Sequence, residues 1–325
     1  MIKAGIIGGS GYVAGELLRS LIHHPKVSID FIYSHSHAGK QAVELHQDLF
    51  THPELVFTDK INSKVDVLFL CLGHGNSSKF LSKHQFSNTT KVIDLSNDFR
   101  LKADATFEGK HFVYGLVDLN RAAIKKAQHI ANPGCFATAI QLGLLPLAKN
   151  KLLKNEVHIN AITGSTGAGQ ALTETSHFSW RNNNISTYKE FNHQHLGEIG
   201  ESLISLQKDF DKDLNFIPVR GDFTRGILAT IYTESSLSED ELVQLYKGFY
   251  AKEPFTHVTE STIDLKQVIN TNHCLIQVKK HGNKVLITSV IDNLVKGAAG
   301  QAIQNMNLIC GLEEQTGLNF KASYF

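Results

Sequence analysis

The sequence predicts an α/β protein of two domains, the first built on a doubly wound parallel sheet and the second an α+β domain with a mixed, mostly antiparallel sheet. Two observations predict the first: Lys3 to Ile7 is a short apolar strand that runs into a glycine turn, and Val65 to Leu72 is apolar throughout, as in a strand buried on both faces. One observation predicts the second: Cys274 to Lys280 and Lys284 to Ile291 alternate around a short turn, which is typical of a hairpin. The length of 325 residues fits two domains.

The composition is that of a globular protein and argues against several other classes. Lys and Arg number 32 and Asp and Glu 31, so the net charge is +1, and no basic block indicates nucleic-acid binding. No apolar run reaches the roughly 18 residues of a membrane-spanning helix, and the N-terminus lacks the pattern of a signal peptide. The four cysteines are scattered, without a C-x-x-C pair, which favours a reduced, cytoplasmic enzyme.

The turn after the first strand is a candidate dinucleotide site. Its glycines are followed by a helical stripe of apolar residues, which is the context that a Rossmann fingerprint requires. The spacing is G-x-x-G-x-x-A and not strict G-x-G-x-x-G, and many strand–helix turns need glycine for other reasons. We expect the backbone here to approach a pyrophosphate at the helix N-terminus, with contacts from Gly8, Ser10, Gly11, Tyr12 and Val13.

The loop after the second predicted strand, Ser28 to Tyr33, indicates which dinucleotide binds. An NAD site usually places an acidic residue there for the ribose 2′-hydroxyl. This loop offers Ser34, Ser36 and Lys40, while Asp30 lies inside the strand. Hydroxyls and a cation suit a 2′-phosphate, so we predict NADP, although the same residues also fit a plain polar loop.

Two further loops follow predicted parallel strands, at the sheet edge where ligands of α/β folds collect. Gly73 begins a small-residue loop after the Val65–Leu72 run and is a second candidate cofactor contact. Lys91 to Leu95 is the next strand, and Arg100 follows it closely. Arg100 either binds a phosphate with its fork of donors or pairs with a neighbouring aspartate, and the sequence leaves both open.

Cys135 has the setting of a nucleophile. Pro133 and Gly134 form a tight turn before it, and Phe136 to Leu147 reads as a buried helix. Cys135 therefore falls at the helix N-terminus, where unpaired N–H groups and the helix dipole favour a thiolate. The same N–H groups suit an oxyanion on a carbonyl that the sulfur attacks. The alternative is a buried structural cysteine.

A histidine pair supplies a candidate acid–base group. Histidine ordinarily titrates near neutrality and can pass a proton, which makes His193 and His195 candidates. A helix beginning near His195 would place Glu198 one turn on, where it can orient the ring. Surface polarity is the plain alternative. A metal site is disfavoured, because no third or fourth ligand lies at metal-like spacing.

The remaining pattern predicts the strands and a helix of the second domain, and a last helix that returns to the first domain. Val157 to Thr163 and Phe223 to Thr233 are predicted strands, and Ser235 to Lys252 is a predicted helix with a capped, acidic first turn. An apolar stripe from Val295 to Cys310 predicts a last helix. Small residues at its start allow close packing, and we expect it to pack on the first domain.

Five stretches together resemble one enzyme family, the N-acetyl-gamma-glutamyl-phosphate reductases of arginine biosynthesis. More distantly, the chain is similar to aspartate-semialdehyde and glyceraldehyde-3-phosphate dehydrogenases. The N-P-G-C and D-N-L-V-K-G-A-A-G-Q-A segments are the most specific. The five stretches are GGSGYVAGELLR, VIDLSNDFRL, ANPGCFATAIQLGLLPL, HQHLGEI and IDNLVKGAAGQAIQNMN.

The resemblance implies a glyceraldehyde-3-phosphate dehydrogenase-like architecture. Residues 1–134 and 297–325 would form the Rossmann domain, and residues 135–296 the catalytic and oligomerisation domain. The implied reaction is the NADPH-dependent reductive dephosphorylation of N-acetyl-gamma-glutamyl phosphate to N-acetylglutamate 5-semialdehyde through a cysteine thioester. A homodimer or homotetramer is expected, with a small-molecule substrate and no nucleic acid, membrane or metal.

The resemblance also implies roles for individual residues. Cys135 would be the nucleophile, with His193, His195 and Glu198 as the acid–base group. The remaining implied contacts bind the substrate or lie near the nicotinamide: Arg100 for the phosphate, Asn132 for the substrate, Arg225 for a substrate carboxylate and Asn293 at the nicotinamide.

The chain departs from the family pattern at several positions, none of which removes a reacting group. Phe136 and Ala137 replace Tyr and Pro after the cysteine, and Gln194 and Gly197 replace Arg and Pro around the histidines. His35 stands where Arg is common, which weakens the argument for NADP. The same chemistry on an N-succinyl-glutamyl, aminoadipyl or aspartyl phosphate stays open, as does a dinucleotide-binding sensor that is not an enzyme.

Overall fold

The computed structural model describes residues 1–325, which form two compact units. The first unit is Met1–Pro133 with Ala298–Asn319, and the second is Gly134–Gly297 with Phe320–Phe325. The domain limits given above stay a prediction. The last six residues, Phe320–Phe325, belong to the second unit, where the Ser323 N–H donates to the Ile269 carbonyl over 3.2 Å.

Strands and helices alternate along the first part of the chain, whereas strands dominate the second. The strands are β1 Ile2–Ile7, β2 Val27–Tyr33, β3 Phe57–Thr58, β4 Val67–Leu70, β5 Lys91–Asp94, β6 Thr106–Phe107, β7 Lys110–Tyr114, β8 His129–Ala131, β9 Val157–Thr163, β10 Ser186–Thr187, β11 Leu214–Arg220, β12 Ile227–Glu234, β13 Thr256–Val258, β14 Cys274–His281 and β15 Lys284–Ile291. The helices are α1 Tyr12–Leu21, α2 Ser77–Lys83, α3 Val117–Ile124, α4 Cys135–Lys149, α5 Phe178–Arg181, α6 His195–Leu206, α7 Glu239–Tyr250 and α8 Gly300–Ile309.

The sheet of the first unit has the strand order β3-β2-β1-β4-β5-β8-β7-β6. All its pairings are parallel except the short β6–β7 hairpin. Every residue of β4 is buried, as its continuous apolar run predicts for a central parallel strand. The order outward from β1 in both directions is that of a dinucleotide-binding fold, so the predicted Rossmann domain is confirmed.

The sheet of the second unit has the order β10-β11-β9-β12-β15-β14-β13. Strands β11 and β9, and β13 and β14, pair in parallel, and the other neighbours are antiparallel. The predicted hairpin is β14–β15, which pairs in register from Cys274 with Ile291 to His281 with Lys284. The mixed, mostly antiparallel sheet is therefore confirmed.

Several predicted limits were wrong for identifiable reasons. The strand expected from Phe223 starts only at Ile227, because Gly226 has a φ of 110°, a value that favours glycine and breaks the strand. The helix expected from Ser235 starts after Ser238, whose hydroxyl accepts the Glu241 N–H in a capping box. The last helix is preceded by a π-helical turn at Val295–Ala299, and β11 was not predicted.

Helix α4 is the centre of the second unit, with every residue from Phe136 to Ala148 buried. Pro146 lies inside it and has no N–H, so the Leu142 carbonyl, four residues earlier, loses its helical donor. The Tyr250 hydroxyl donates to that carbonyl instead. The Tyr246 hydroxyl donates to the next carbonyl, that of Gly143, over 2.6 Å. A tyrosine of helix α7 therefore supplies the hydrogen-bond donor that Pro146 lacks.

None of the helices combines the length and the apolar character that crossing a lipid bilayer requires.

Replacing Tyr250 with Phe should destabilise the protein by about 1–3 kcal/mol, because it leaves the buried Leu142 carbonyl without a donor. Tyr246→Phe is the matched control and should cost less, since the Gly143 carbonyl keeps its helical donor. Denaturant unfolding of the two variants measures the difference. Pro146→Ala in the Tyr250→Phe background should recover stability, and equal losses without recovery would contradict this account.

Candidate active site

The turn between β1 and α1 brings bare backbone to the start of a helix. Gly8 has a φ of 79°, and a Cβ built there would lie 2.6 Å from the Cys71 carbonyl oxygen. A Cβ at Gly11 would meet nothing closer than the Gly8 oxygen at 3.9 Å, so this side of the turn is open. The first N–H groups of α1 have no partner within the helix and suit an anionic phosphate. The arrangement fits a pyrophosphate.

His46 supports this turn and was not predicted. Its Nε2 lies 2.8 Å from the Gly9 carbonyl oxygen, and the side chain is buried. A Cβ built on Gly15 would lie 2.7 Å from His46 Nδ1, so glycine in α1 makes room for the ring. A lone histidine in a polar loop gave no sign of this contact in the sequence.

The loop after β2 presents hydroxyl groups and histidine side chains where the adenine ribose of a cofactor is expected. The Ser34 and Ser36 hydroxyls lie 3.1 and 2.9 Å from His37 Nδ1. Lys40 is exposed nearby in the chain. Asp30 accepts a hydrogen bond from Asn62 Nδ2 over 2.9 Å within the body of β2. No acidic residue occurs from 34 to 40, so the loop fits a 2′-phosphate.

Two aspartates shape the loop that begins at Gly73. The Asp98 carboxylate accepts hydrogen bonds from the Gly75 N–H over 2.6 Å and from the N–H and hydroxyl of Ser78, each over 3.0 Å. Asp94 is fully buried and accepts from the Ser77 and Ser96 hydroxyls. Burial raises the pKa of Asp94 to about 6, against the opposing effect of those hydrogen bonds.

Arg100 and Asn132 are both buried and bonded within the first unit. Arg100 donates from Nε to the Asn132 carbonyl over 2.8 Å and from Nη2 to the Leu95 carbonyl over 3.0 Å. The Asn132 amide donates to the Ala298 carbonyl and accepts from Asn305 Nδ2, each over 3.0 Å. Both side chains therefore fix the chain just before Pro133.

In the second unit, Cys135 is the first residue of α4 and Gly134 is its extended N-cap. The Gly134 N–H donates to Glu198 Oε2 over 3.0 Å, in buried surroundings. A Cβ built on Gly297 would lie 2.7 Å from the Cys135 Cβ, so only glycine fits behind the cysteine. The thiol thus lies at a helix N-terminus whose preceding turn is held by a buried carboxylate.

Helix α6 begins at His195 and places Glu198 one turn further on. Glu198 Oε1 lies 3.8 Å from His195 Nε2, and both side chains are buried. This distance exceeds a hydrogen bond, so the contact is electrostatic, while the hydrogen bond of Glu198 goes to the Gly134 N–H. One carboxylate therefore serves both the cysteine turn and the histidine.

His193 is placed differently from His195. Its Nδ1 accepts the His195 N–H over 3.2 Å, and its ring lies 4.6 Å from the His195 ring, centroid to centroid. Phe136 packs edge-on against His193 at 5.5 Å. Burial, and secondarily Lys189, lowers the pKa of His193 to about 4. His193 is therefore neutral near pH 7.

Arg225 and Asn293 hold loops of the second unit. Arg225 donates from Nε and Nη2 to the two carboxylate oxygens of Asp292 over 3.1 and 3.2 Å, and Asp292 is fully buried. Asn293 accepts the Gly226 N–H over 2.7 Å and donates to Thr166 Oγ1 over 3.0 Å. Asp292 was not predicted, because nothing local marks its pairing with an arginine 67 residues earlier.

No group of three or more His, Cys, Asp or Glu side chains is arranged to hold a metal ion.

Comparison with known families assigns both halves of the chain. The family model described as "Semialdehyde dehydrogenase, NAD binding domain" matches residues 3–127. The model described as "Semialdehyde dehydrogenase, dimerisation domain" matches residues 135–293. Among solved structures, aspartate semialdehyde dehydrogenase II from Vibrio cholerae has a TM-score of 0.74 at 17% identity, over 96% of this chain and 98% of that chain. Aspartate semialdehyde dehydrogenase from Candida albicans has a TM-score of 0.68 at 15% identity, over 95% and 98%. At these identities the likeness concerns the fold.

Curated relatives are much more similar in sequence. The N-acetyl-gamma-glutamyl-phosphate reductase of Flavobacterium johnsoniae is 65% identical over the full length of both chains. Those of Christiangramia forsetii and Bacteroides thetaiotaomicron are 58% and 55% identical, again over 100% of each chain. The chain belongs to the N-acetyl-gamma-glutamyl-phosphate reductase family.

Proposed function

We propose that the protein reduces N-acetyl-gamma-glutamyl phosphate to N-acetylglutamate 5-semialdehyde, with NADPH as reductant and release of phosphate. The names of the full-length relatives support the substrate. The observation that carries the chemistry is Cys135 at the N-terminus of the buried helix α4, with the preceding turn bonded to Glu198. That placement suits a thiolate nucleophile.

The Cys135 thiolate attacks the acyl phosphate carbonyl. A carbon–sulfur bond forms, the bond from carbon to the phosphate oxygen breaks, and phosphate leaves a thioester on the enzyme. The free N–H groups at the start of α4 stabilise both the thiolate and the oxyanion of the tetrahedral intermediate. Arg100 is our candidate for binding the phosphate group, and its buried bonds to the Asn132 and Leu95 carbonyls hold it rigid.

When bound, NADPH supplies the hydride that converts the thioester carbonyl to the aldehyde as the carbon–sulfur bond breaks. The β1–α1 turn would hold its pyrophosphate, through Gly8, Ser10, Gly11, Tyr12 and Val13. The adenine ribose and its 2′-phosphate would meet Ser34, Ser36 and Lys40, and Gly73 lies in the next loop of the same sheet edge.

His195 is our candidate for the acid–base residue, which protonates the departing oxygen. Its Nε2 lies 3.8 Å from the buried Glu198 carboxylate, which can orient the ring. His193 is neutral, and its Nδ1 is already bonded to the His195 N–H, so it positions its neighbour. Asn293 and Arg225 hold the loops of this unit through Gly226, Thr166 and Asp292.

None of the four cysteines forms a disulfide, which is the pattern that a reducing compartment favours. We therefore place the reaction in the cytoplasm.

A second copy of the chain is the proposed partner, because the second unit matches a dimerisation domain. Helices α4, α6 and α7 cover one face of the sheet, where Ile159, Ala161 and Ile231 are buried. On the opposite face His158 stacks on Tyr232 at 4.7 Å, and Tyr232 is 43% exposed. Ile263 and Val268 cover the end of this face at Val290, and we propose that the exposed part around Tyr232 pairs with its copy in a homodimer.

Cys135→Ser should leave nucleotide binding intact and abolish turnover, because a hydroxyl at this position is a far weaker nucleophile than the thiolate. Phosphate-dependent reduction of NADP with N-acetylglutamate semialdehyde measures turnover, and fluorescence titration measures nucleotide binding. Cys274→Ser, at a buried cysteine of the same unit, is the control and should keep activity. Near-wild-type turnover of Cys135→Ser would refute the covalent route.

His195→Asn should lower kcat roughly 10²–10⁴-fold through loss of proton transfer. His193→Asn should have a smaller effect, because an asparagine oxygen can still accept the His195 N–H. Steady-state kinetics between pH 5 and 9 separates the two, since only the first variant should lose the pH dependence of kcat. An equal loss of kcat in both variants, with the profile unchanged in the His195 variant, would contradict the assignment.

Tyr232→Asp should shift the protein toward a monomer, because it places charges on the exposed part of that sheet face. Asp209→Lys is a control that changes charge at an exposed position outside the sheet. Light scattering across a dilution series measures the mass. If Tyr232→Asp keeps the wild-type mass, the proposed face is wrong.

A further inference from the structure

Three arginines occur in the second unit, and only one is neutralised by a carboxylate. Arg225 forms its two hydrogen bonds with Asp292, so its charge is balanced within the protein. No carboxylate oxygen lies within 4.0 Å of the guanidinium nitrogens of Arg181 or Arg220. Arg225, which the family resemblance implies as the contact for a substrate carboxylate, is thus paired with Asp292, whereas Arg181 and Arg220 have no carboxylate partner.

Arg220 ends β11 with its guanidinium over the face of Tyr188, 4.7 Å from the ring centroid. Nη1 donates to Thr175 Oγ1 over 3.2 Å. A guanidinium has five N–H donors arranged as a fork, so capacity remains for a bidentate anion. Stacking on the Tyr188 ring fixes the plane of the fork, and the Tyr188 hydroxyl also interacts with the guanidinium, which leaves the other donors for an anion.

Arg181 lies beside Arg220 and adds a second positive charge. Its Nη2 donates to the carbonyls of Asn184 and Arg220, over 2.6 and 3.2 Å. Its Nε and Nη1 are buried and have no hydrogen-bond partner in the protein. Asp222 interacts with Arg181 electrostatically without a direct ion pair. The Oδ2 of Asp222 instead accepts the Asn183 N–H over 2.7 Å. Two adjacent cations with unused donors are expected to be balanced by an anion.

The arginine pair lies on the side of the unit that holds the nucleophile. The Tyr188 ring under Arg220 is 5.9 Å from the His193 ring, which is 4.6 Å from the His195 ring. Burial, and then the nearby Cys135, raises the pKa of Tyr188. A chain of ring contacts through Tyr188 and His193 therefore connects Arg220 to His195, the proposed acid–base residue.

We propose that Arg220, supported by Arg181, binds a carboxylate of the acyl phosphate substrate. The assignment rests on the proposed function and moves the carboxylate contact from Arg225 to Arg220. The carboxylate has two possible sources with the same chemistry: the α-carboxylate of the glutamyl group, or a second carboxylate on the N-acyl group. Arg225 then has the separate task of holding the loop before β12 through Asp292.

Kinetics of Arg220→Gln with N-acetyl- and N-succinylglutamate semialdehydes distinguishes the sources. Losing a charge-assisted bidentate contact should raise KM about ten- to a hundredfold. A rise for both substrates identifies the α-carboxylate, and a rise confined to the succinyl substrate identifies the acyl carboxylate. Arg220→Lys should recover part of the loss. An unchanged KM for both semialdehydes, or a rise only in the KM for phosphate, overturns the proposal.

A second measurement does not depend on the reaction being correctly named. Iodoacetate is an anion and iodoacetamide is neutral, and both alkylate Cys135, which peptide mass spectrometry can follow separately from the other cysteines. A carboxylate subsite beside the thiol should make the iodoacetate-to-iodoacetamide rate ratio fall several-fold in Arg220→Gln. Thermal unfolding of the same variant checks that it is folded. An unchanged ratio in a folded variant overturns the subsite even if the protein proves inactive on both semialdehydes.

Discussion

The hydrogen bond from the Gly134 N–H to the buried Glu198 carboxylate fixes the geometry on which the chemistry of the second unit depends. It joins the turn that presents Cys135 to helix α6, which carries His195. A carboxylate is costly to bury unless it is bonded or paired, and Glu198 is bonded to the Gly134 N–H and lies 3.8 Å from His195 Nε2. One side chain thereby holds the proposed nucleophile and the proposed proton donor.

The same arrangement occurs elsewhere: aspartate side chains hold loops that lie outside helices and strands. Asp292 holds Arg225, and Asp98 holds the loop at Gly75 and Ser78. Each of these carboxylates accepts backbone N–H groups, so each holds a segment of main chain in one conformation. A main chain that is fixed before a ligand binds is what binding and transition-state stabilisation require.

The fold was predictable where the signal was local. The glycine turn after β1, the helix after Cys135 and the β14–β15 hairpin follow from periodicity and turn residues within a few positions. The contacts of His46 with Gly9 and of Arg225 with Asp292 span 37 and 67 residues. Pairings at such separations are created by the tertiary fold and leave no local signal. The substrate role of Arg225 was implied by the family resemblance, and no local pattern marked Arg220.

The central claim is that Cys135 forms a thioester with the substrate, and mass spectrometry of the Cys135 peptide tests it most directly. The protein is mixed with N-acetyl-gamma-glutamyl phosphate without a nicotinamide cofactor, quenched in acid and digested. The account predicts the mass of an N-acetylglutamyl group on Cys135, lost when NADPH is added before quenching. Stoichiometric phosphate release with an unmodified Cys135 peptide, or acylation of another residue, would contradict it.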